Sequence, residues 1–149
     1  MSIEEYMVRL KAMRDDIPNE IDRILKKNES LITGMLKLRL YNQGTDGNYD
    51  LIGYYSPKTI VHKKAEGKKY SFITLRDSGN FYAGMYLESK NGDYRIDSRD
   101  SVTPELVEKY GASILELTPK QQIDVINNII NPELQKFIDD NIVDFEIHF

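Results

Sequence analysis

Cysteine is absent from this 149-residue sequence, and no window approaches ~18 uninterrupted apolar residues. Without cysteine there is no disulfide framework, no thiolate nucleophile and no cysteine-based zinc site, which excludes cysteine-based redox chemistry and suits a reducing compartment. The N-terminal residues mix charged with apolar side chains and lack the compact apolar run of a signal peptide. We therefore expect a soluble protein made in the cytoplasm, with no membrane partner.

Recognisable catalytic motifs are also missing. The sequence contains no G-x-S-x-G, no P-loop and no H-E-x-x-H. Its two histidines are His62, which lies among lysines, and His148, and neither has an obvious nucleophile or orienting partner. The sequence therefore predicts a protein that is not an enzyme and that has no catalytic, cofactor-binding or metal-binding residues.

Two groups of acidic residues nevertheless invite a metal-site interpretation. Asp46, Asn48 and Asp50 match positions 1, 3 and 5 of a calcium loop, but Leu51 and Pro57 stand where that loop needs glycine and glutamate. We interpret this segment as a turn. The second group is Asp93, Asp97 and Asp100. Charges of this kind on an exposed strand edge routinely prevent strand-to-strand aggregation, which is how we interpret them.

Charge is distributed unevenly along the chain. The formal net charge is -4, and residues 104–149 contain nine acidic and three basic side chains, so residues 1–103 carry a small positive excess. The acidic C-terminal part disfavours nonspecific binding to duplex DNA. The densest basic run, residues 58–69, holds five lysines and His62 but no arginine or aromatic residue, and we interpret it as a solvated helix face with the loop after it. A phosphate-contacting patch is the alternative.

The N-terminal 27 residues have the pattern of a long amphipathic helix. Ser2 and Glu5 have the spacing of a capping box, and Pro18 predicts either a kink or two helices, the second starting near Asp16. A helix of this length exceeds what one small domain usually needs, so we expect its apolar face to contact other subunits as well as its own fold. The residues of that face, at spacings of three, four and seven, are Met7, Leu10, Ile17, Ile21 and Ile24.

Residues 31–40 carry two competing patterns. Leu31, Met35 and Leu38 fit a helix, whereas Leu36, Leu38 and Leu40 alternate with basic residues as in a strand. We favour the strand. Residues 42–48, with Gly44 and an Asp-Gly pair, predict a turn.

Four prolines follow a residue that can cap a helix. A hydroxyl or amide oxygen accepts from the first N–H groups of a helix, and proline is favoured at its first position. We therefore predict helices over residues 57–66, 104–110, 119–130 and 132–141, the first ending at Gly67 and the second at a left-handed Gly111. The third is expected to bury Ile123, Ile126 and Ile130. The four pairs are Ser56-Pro57, Thr103-Pro104, Thr118-Pro119 and Asn131-Pro132.

The middle of the chain predicts strands. Residues 70–75 are rich in β-branched and aromatic side chains, and residues 85–89 and 94–98 flank the hairpin turn Asn91-Gly92-Asp93. The predicted fold is α+β: a small antiparallel sheet packed against helices, with a long N-terminal helix and a helical C-terminus. We expect one domain, 1–149, made of an arm (1–27), a mixed core (31–117) and C-terminal helices (118–149).

The most informative segment lies between the predicted strands. Gly79 and Gly84 bracket Phe81 and Tyr82, which predicts a tight turn anchored in the core by Phe81, with a special backbone conformation, such as a positive φ, at Ser78-Gly79. Asp77 or Ser78 is expected to cap a short helical turn over residues 80–84. Arg76 and Asp77 beside an exposed Tyr82 would form a polar and aromatic interface patch.

This segment resembles the phage virion-morphogenesis family, also called tail-completion or head–tail connector proteins. Members carry an L-x-D-[ST]-G-x-[LF] turn before two strands, and then a short helix that ends near a Tyr-Gly or Phe-Gly pair. Leu75, Asp77, Ser78, Gly79 and Phe81 match the turn, and Tyr110 with Gly111 matches the pair. An upstream G-x-D-x-x-G-like turn has Gly44, Asp46 and Asn48 before Tyr55-Ser56-Pro57.

The resemblance covers residues 44–120 and departs from the family at two places. Serine stands at position 78 where threonine is usual, and residues 114–119 replace an Arg-Pro-Phe signature. Membership implies a structural virion protein without catalytic activity, made in the host bacterial cytoplasm. It also implies a homo-oligomeric ring in the neck, between portal-proximal proteins and the tail, through which the genome DNA passes.

The sequence adds two physical points to what the resemblance implies. Acidic surface could line the lumen of a ring and keep DNA from sticking, and the N-terminal helix could supply the contact between subunits. The alternative is a small binding or regulatory module that contacts an anionic partner through the lysine run of residues 58–69.

Overall fold

The computed structural model describes residues 2–143 of the chain, without the side chain of Val143. The fold is α+β, as predicted, with seven α-helices, a short 3-10 helix, a π-helical turn and one two-stranded antiparallel sheet in the described part. In chain order the elements are α1 (Ile3–Lys27), α2 (Glu29–Gln43), α3 (Pro57–Ala65), α4 (Asn80–Ala83), β1 (Met85–Lys90), β2 (Asp93–Ser98), α5 (Thr103–Tyr110), the 3-10 helix (Ala112–Leu115), α6 (Pro119–Val125), the π-helical turn (Ile126–Ile130) and α7 (Asn131–Val143).

Helix α1 begins at the predicted capping box. The Glu5 N–H donates to Ser2 Oγ at 3.1 Å, and the Ser2 N–H donates to Glu5 Oε2 at 2.9 Å. Pro18 lies inside one continuous 25-residue helix, so the alternative of two helices is wrong. An internal proline costs about 3 kcal/mol because a hydrogen bond is lost, and complete burial of Ile24 and Leu25 in the C-terminal half offsets this cost.

The prediction of a strand over residues 31–40 is wrong, because this segment is the middle of α2. Leu36 and Leu40 are fully buried four residues apart, whereas Leu38 between them is 62% exposed. The inward side chains therefore follow the helical period, and the alternation that suggested a strand does not correspond to burial. Gly44 ends the helix with a φ of 63°, in the turn that was predicted there.

The hairpin was predicted correctly. Strands β1 and β2 pair antiparallel with Leu87 opposite Ile96, and Asn91 and Gly92 form a two-residue turn with φ values of 54° and 84°. The carboxylate of Asp22 on α1 accepts from the Asn91 N–H at 3.1 Å and from the Gly92 N–H at 2.9 Å. The turn is therefore fixed to α1.

Residues 70–75 do not form the predicted strand. The segment is irregular, with Ile73, Thr74 and Leu75 buried and with Leu75 at a φ of 59°, which no strand residue adopts. Its one ladder-like contact is the Ile73 N–H, which donates to the Gly53 carbonyl at 2.9 Å. The β-branched side chains therefore reflect burial in the core rather than strand pairing.

Two of the four predicted proline caps are confirmed and two are wrong. Ser56 caps α3, and Thr118 caps α6 through a capping box with Gln121. Val102 precedes α5, and Thr103 is already helical and buried. Asn131 has helical dihedral angles and starts α7 directly after the π-helical turn, so it does not cap a separate helix.

The buried hydrophobic side chains of the described residues form one cluster, contributed by α1, α2, the irregular 73–75 segment, the hairpin and the C-terminal helices. Strand β1 packs on α1 and α2, and α7 packs on α1. Ile123 and Ile126 were expected to be buried but are exposed, because Val125 and Ile129, four residues apart, occupy the inward face. Ile130, also expected to be buried, is only partly buried. No helix within residues 2–143 is long and apolar enough to cross a bilayer.

Candidate functional site: the loop of residues 76–84 and its cavity

The loop of residues 76–84 connects the buried 73–75 segment to the hairpin. Gly79 has a φ of 90° and immediately precedes α4, so the predicted special backbone conformation is confirmed. Ser78 Oγ accepts from the Asn80 N–H at 3.2 Å, whereas the Asp77 carboxylate accepts from Lys68 instead. Gly84 has an ordinary φ, and a Cβ there would lie 2.8 Å from Ser98 Oγ. Glycine is therefore required at position 79 by the backbone conformation and at position 84 by the lack of space.

The aromatic pair of the loop faces inward. Phe81 is buried, as predicted. Tyr82 is buried too, so the prediction that Tyr82 is exposed is wrong. The Tyr82 hydroxyl donates to the Thr74 carbonyl, and burial raises the pKa of Tyr82 above its ordinary value. Tyr82 therefore fixes the loop to the core. The guanidinium of Arg76 lies 5.5 Å from the ring centre of Tyr41, not beside an exposed Tyr82.

Asp77 belongs to a small ion-pair network at the loop surface. Lys68 Nζ lies 3.0 Å from Asp77 Oδ1 and 2.8 Å from Glu66 Oε2. The Lys68 hydrogen bond and charge lower the pKa of Asp77, with a smaller contribution from the Lys63 charge. Because Asp77 is well exposed, this network contributes little to stability, but it orients the loop against the end of α3.

The second sequence motif meets the loop in space. Tyr110, half-buried, is the last residue of α5, and Gly111 ends that helix with a φ of 91° and a ψ of 160°. This is a positive-φ conformation suited to glycine, although it is not the left-handed helical one that was predicted. Tyr110 lines the same cavity as residues 76–81, so the two motifs of the predicted interface set share one site.

A cavity of about 480 Å³ lies between α3, the loop and α5. Much of its lining is apolar, from Ile73, Leu75, Phe81, Val102 and Leu106. Leu75 adopts its positive φ at this wall, a strained conformation of the kind that clusters at binding sites.

Lys63 supplies a cation to this cavity, and the sequence did not reveal it. It was grouped with the solvated lysines, but its residue is only 6% exposed, and its ammonium lies 4.4 Å from the ring centre of Tyr55. The Tyr55 hydroxyl accepts from the Thr74 N–H at 3.1 Å, which holds the ring in place. The available signal was helical spacing, since Lys63 follows Thr59 and Ile60 on the half-buried face of α3.

The rest of the lysine run is largely engaged within the chain. Lys64 lies 4.8 Å from the ring centre of Tyr70, and Lys69 donates to the Tyr41 carbonyl at 2.7 Å while lying 4.4 Å from the Phe72 ring centre. The aromatic residues that these lysines contact therefore lie outside residues 58–69. Binding of an anionic partner through this run stays a prediction, with fewer free cations than the sequence suggested.

The predicted subunit-contact residues of α1 divide into two groups. Ile24 is fully buried and Ile21 packs against the core. Met7 is 51% exposed, and Leu10 and Ile17 are partly buried. The exposed apolar face extends to Ile3 at 62% exposure, whereas Val8, at 67%, lies on another side of the helix. Only the N-terminal half of the helix therefore offers an uncovered apolar face.

The segment with calcium-like spacing is a turn, as interpreted. Asp46 Oδ1 accepts from the N–H groups of Asn48 at 2.8 Å and Asp50 at 3.1 Å, and Oδ2 accepts from Ser113 Oγ at 2.9 Å. Burial acts to raise the pKa of Asp46, but these hydrogen bonds together outweigh it and lower the pKa. Within residues 2–143 no three His, Asp or Glu side chains are grouped as for a metal ion.

His62 is exposed on α3, and His148 lies outside the described residues.

Comparison of the chain with protein-family models, with curated proteins and with solved structures finds no match. A functional proposal therefore depends on the quoted motif residues and on the geometry of the arm and the cavity.

Proposed function

We propose that this chain is a structural protein of a tailed-phage virion, a neck or tail-completion component without catalytic activity that assembles into a ring between head and tail. The observation that carries the proposal is the exposed apolar face on the N-terminal half of α1, in a chain with the D-S-G-x-F loop and Tyr-Gly pair of the family it resembles.

The shape of α1 suits an assembly role. Residues 3–16 contain no buried side chain and extend over ~21 Å at the ~1.5 Å rise of a helix. Ile3 and Met7 lie four residues apart and so share one side of it. Exposed apolar side chains grouped on one helix face typically mark a site that another protein covers.

Ring formation needs two different surfaces on each copy. A contact in which the arm of one subunit meets another surface of the next is heterologous, and such contacts close into a ring when the rotation between copies permits. Acidic side chains exposed on α7, such as Asp139 and Asp140, would suit a lumen through which DNA passes, because like charges repel.

The arm can be tested with matched double variants. Ile3→Glu with Met7→Glu places two charges on the apolar face, and Val8→Glu with Ala12→Glu places two on a side about 140° away around the helix. All four positions are exposed, so both proteins should fold alike. We expect native mass spectrometry, over a range of concentrations and with the cognate neck proteins present, to show loss of assembly only for the first pair.

If both double variants assemble equally well, the apolar face of α1 does not form the contact between subunits. The virion assignment has its own test, which is the identity of the neighbouring open reading frames. Portal and tail genes on either side would support the proposal, and an operon of metabolic enzymes would overturn it whatever the arm does.

A further inference from the structure

The ammonium group of Lys63 belongs to the lining of the cavity between α3, the residue 76–84 loop and α5. Lys63 is buried as a residue, and among residues 2–143 its Nζ makes no hydrogen bond within 3.5 Å and no ion pair within 4.0 Å. Its Nζ is not among the enclosed polar atoms of these residues that lack a partner, so the ammonium reaches the open side of the cavity, 4.4 Å from the Tyr55 ring centre. The remaining hydrogen-bonding capacity of Lys63 is available at the cavity.

Neither cation of the cavity lining has an ion-pair partner within 4.0 Å among residues 2–143, which favours a small anion. Lys63 and Arg76 line the cavity together with Asp77 and Asp100. These four charges sum to zero, and Lys68, which binds Asp77 from outside the lining, is shared with Glu66 and so adds no excess positive charge. A lining without net charge, in which the Lys63 ammonium has no ion pair, suits a carboxylate better than a phosphate dianion, which normally needs several donors.

The remaining wall suits an apolar group. Ile73, Leu75, Phe81, Val102 and Leu106 provide aliphatic and aromatic surface, and the volume of about 480 Å³ falls in the range of small-molecule sites, roughly 300–1,000 Å³. Such sites combine mainly apolar walls with few polar groups that fix orientation.

From these three features we infer that the cavity between α3, the residue 76–84 loop and α5 binds a small monocarboxylate with an apolar body, whose carboxylate pairs with Lys63. The apolar body lies against Leu75, Phe81 and Leu106. Binding requires no assembled ring, so this inference and the virion proposal stand or fall separately.

A suitable probe is 3-phenylpropionate, titrated into the full-length chain and followed by methyl NMR. We expect saturable shifts concentrated in the methyl groups of Ile73, Leu75, Val102 and Leu106. Two comparison compounds separate the contributions: 3-phenylpropan-1-ol has the same body without the charge, and acetate has the charge without the body. Both should bind at least about tenfold more weakly, the size expected for loss of a charged hydrogen bond or of an apolar group.

Lys63→Met tests the assigned cation, with Lys64→Met as the matched control. Lys64 is the next residue on α3, is exposed and also lies near a tyrosine ring, so its replacement removes the same charge from the same helix. We expect Lys63→Met to weaken 3-phenylpropionate binding about tenfold or more while Lys64→Met leaves it unchanged. Thermal unfolding should show both variants folded, because methionine retains the apolar stem of lysine.

Three results would overturn the inference. The first is equal binding of the acid and the alcohol. The second is unchanged affinity in Lys63→Met, or methyl shifts located away from the cavity. The third is binding of a blocked Phe-Glu dipeptide when no free phenyl-alkyl acid binds, which would assign the site to a segment of another protein.

Discussion

Gly79 and Gly34 provide a paired test of the loop conformation. A Cβ added at either position meets nothing within 4 Å, so neither substitution by alanine creates a clash. The two differ in backbone conformation, since Gly79 has a φ of 90° and Gly34 lies inside α2. Any difference between Gly79→Ala and Gly34→Ala therefore reports the backbone rather than the packing.

The two variants should change stability in opposite directions. Forcing alanine to positive φ costs about 1–2 kcal/mol, and the smaller entropy of the unfolded chain returns about 0.4–1 kcal/mol, so Gly79→Ala should destabilise by about 1 kcal/mol. Gly34→Ala should stabilise by about 0.5–1 kcal/mol, as alanine does inside a helix. Gly67, with a φ of 68° and equally open space, should behave like Gly79.

Urea unfolding followed by far-UV circular dichroism measures these differences. The midpoints should move in opposite directions with an unchanged dependence on denaturant, which identifies the change as one of stability. An equal or greater stability of Gly79→Ala would refute the reasoning, because it would mean that residue 79 does not hold the positive φ on which the loop depends.

Three further predictions concern the fold. Leu36→Ala should destabilise the protein by about 2–5 kcal/mol and Leu38→Ala by less than about 0.5 kcal/mol, since only Leu36 is buried; similar costs in urea unfolding would contradict helix α2. Asp22→Ala should cost about 1–2 kcal/mol by leaving two hairpin N–H groups without an acceptor, whereas the exposed Asp15→Ala should cost little. Because the pKa of Asp46 is lowered in the folded chain, its stabilisation is present above the ordinary pKa of 3.8 and disappears as the pH falls through the folded value. Asp46→Asn should therefore flatten the loss of stability that wild type shows, in unfolding curves measured from about pH 6 to about pH 2; an unchanged pH profile would exclude this contribution.

Local signals in the sequence were enough for the elements whose geometry is set within a few residues. The Ser2–Glu5 box, the Asn91-Gly92 turn and the positive φ of Gly79 each follow from short-range sterics or hydrogen bonds, and the structure has all three. The α+β class followed from these elements together with the long apolar stripe of α1.

Residues 31–40 show where local reasoning fails. Leu36, Leu38 and Leu40 satisfy an alternating pattern, and nothing local states that Leu38 faces solvent. The choice between helix and strand was made by the tertiary burial of Ile32, Leu36 and Leu40, which form one helical face against the core. The irregular 70–75 segment failed for the related reason that β-branched residues also fill cores without pairing.

The sequence predicted the loop of the candidate site but did not reveal that Lys63 lines its cavity. The sequence placed Arg76, Gly79 and Phe81 in a turn and singled out Tyr110, and the structure brings them to one cavity. The position of Lys63 depends on Tyr55, which lies two residues before α3 but is held by Thr74 from another part of the chain. A contact among three separated segments leaves no periodic signal in a single sequence.

Helix α1 combines two roles that must be separated before assembly is tested. Its C-terminal half supports the fold, because Ile24 and Leu25 are fully buried and Asp22 fixes the hairpin turn, while Glu29 just beyond it accepts from the Leu87 N–H at 2.9 Å. A two-stranded hairpin is marginal alone, so it depends on this support. Removal of residues 1–27 would therefore unfold the core and would say nothing about assembly. Changes confined to residues 3–12 leave every one of those contacts in place, so a loss of assembly there is a property of the exposed face itself.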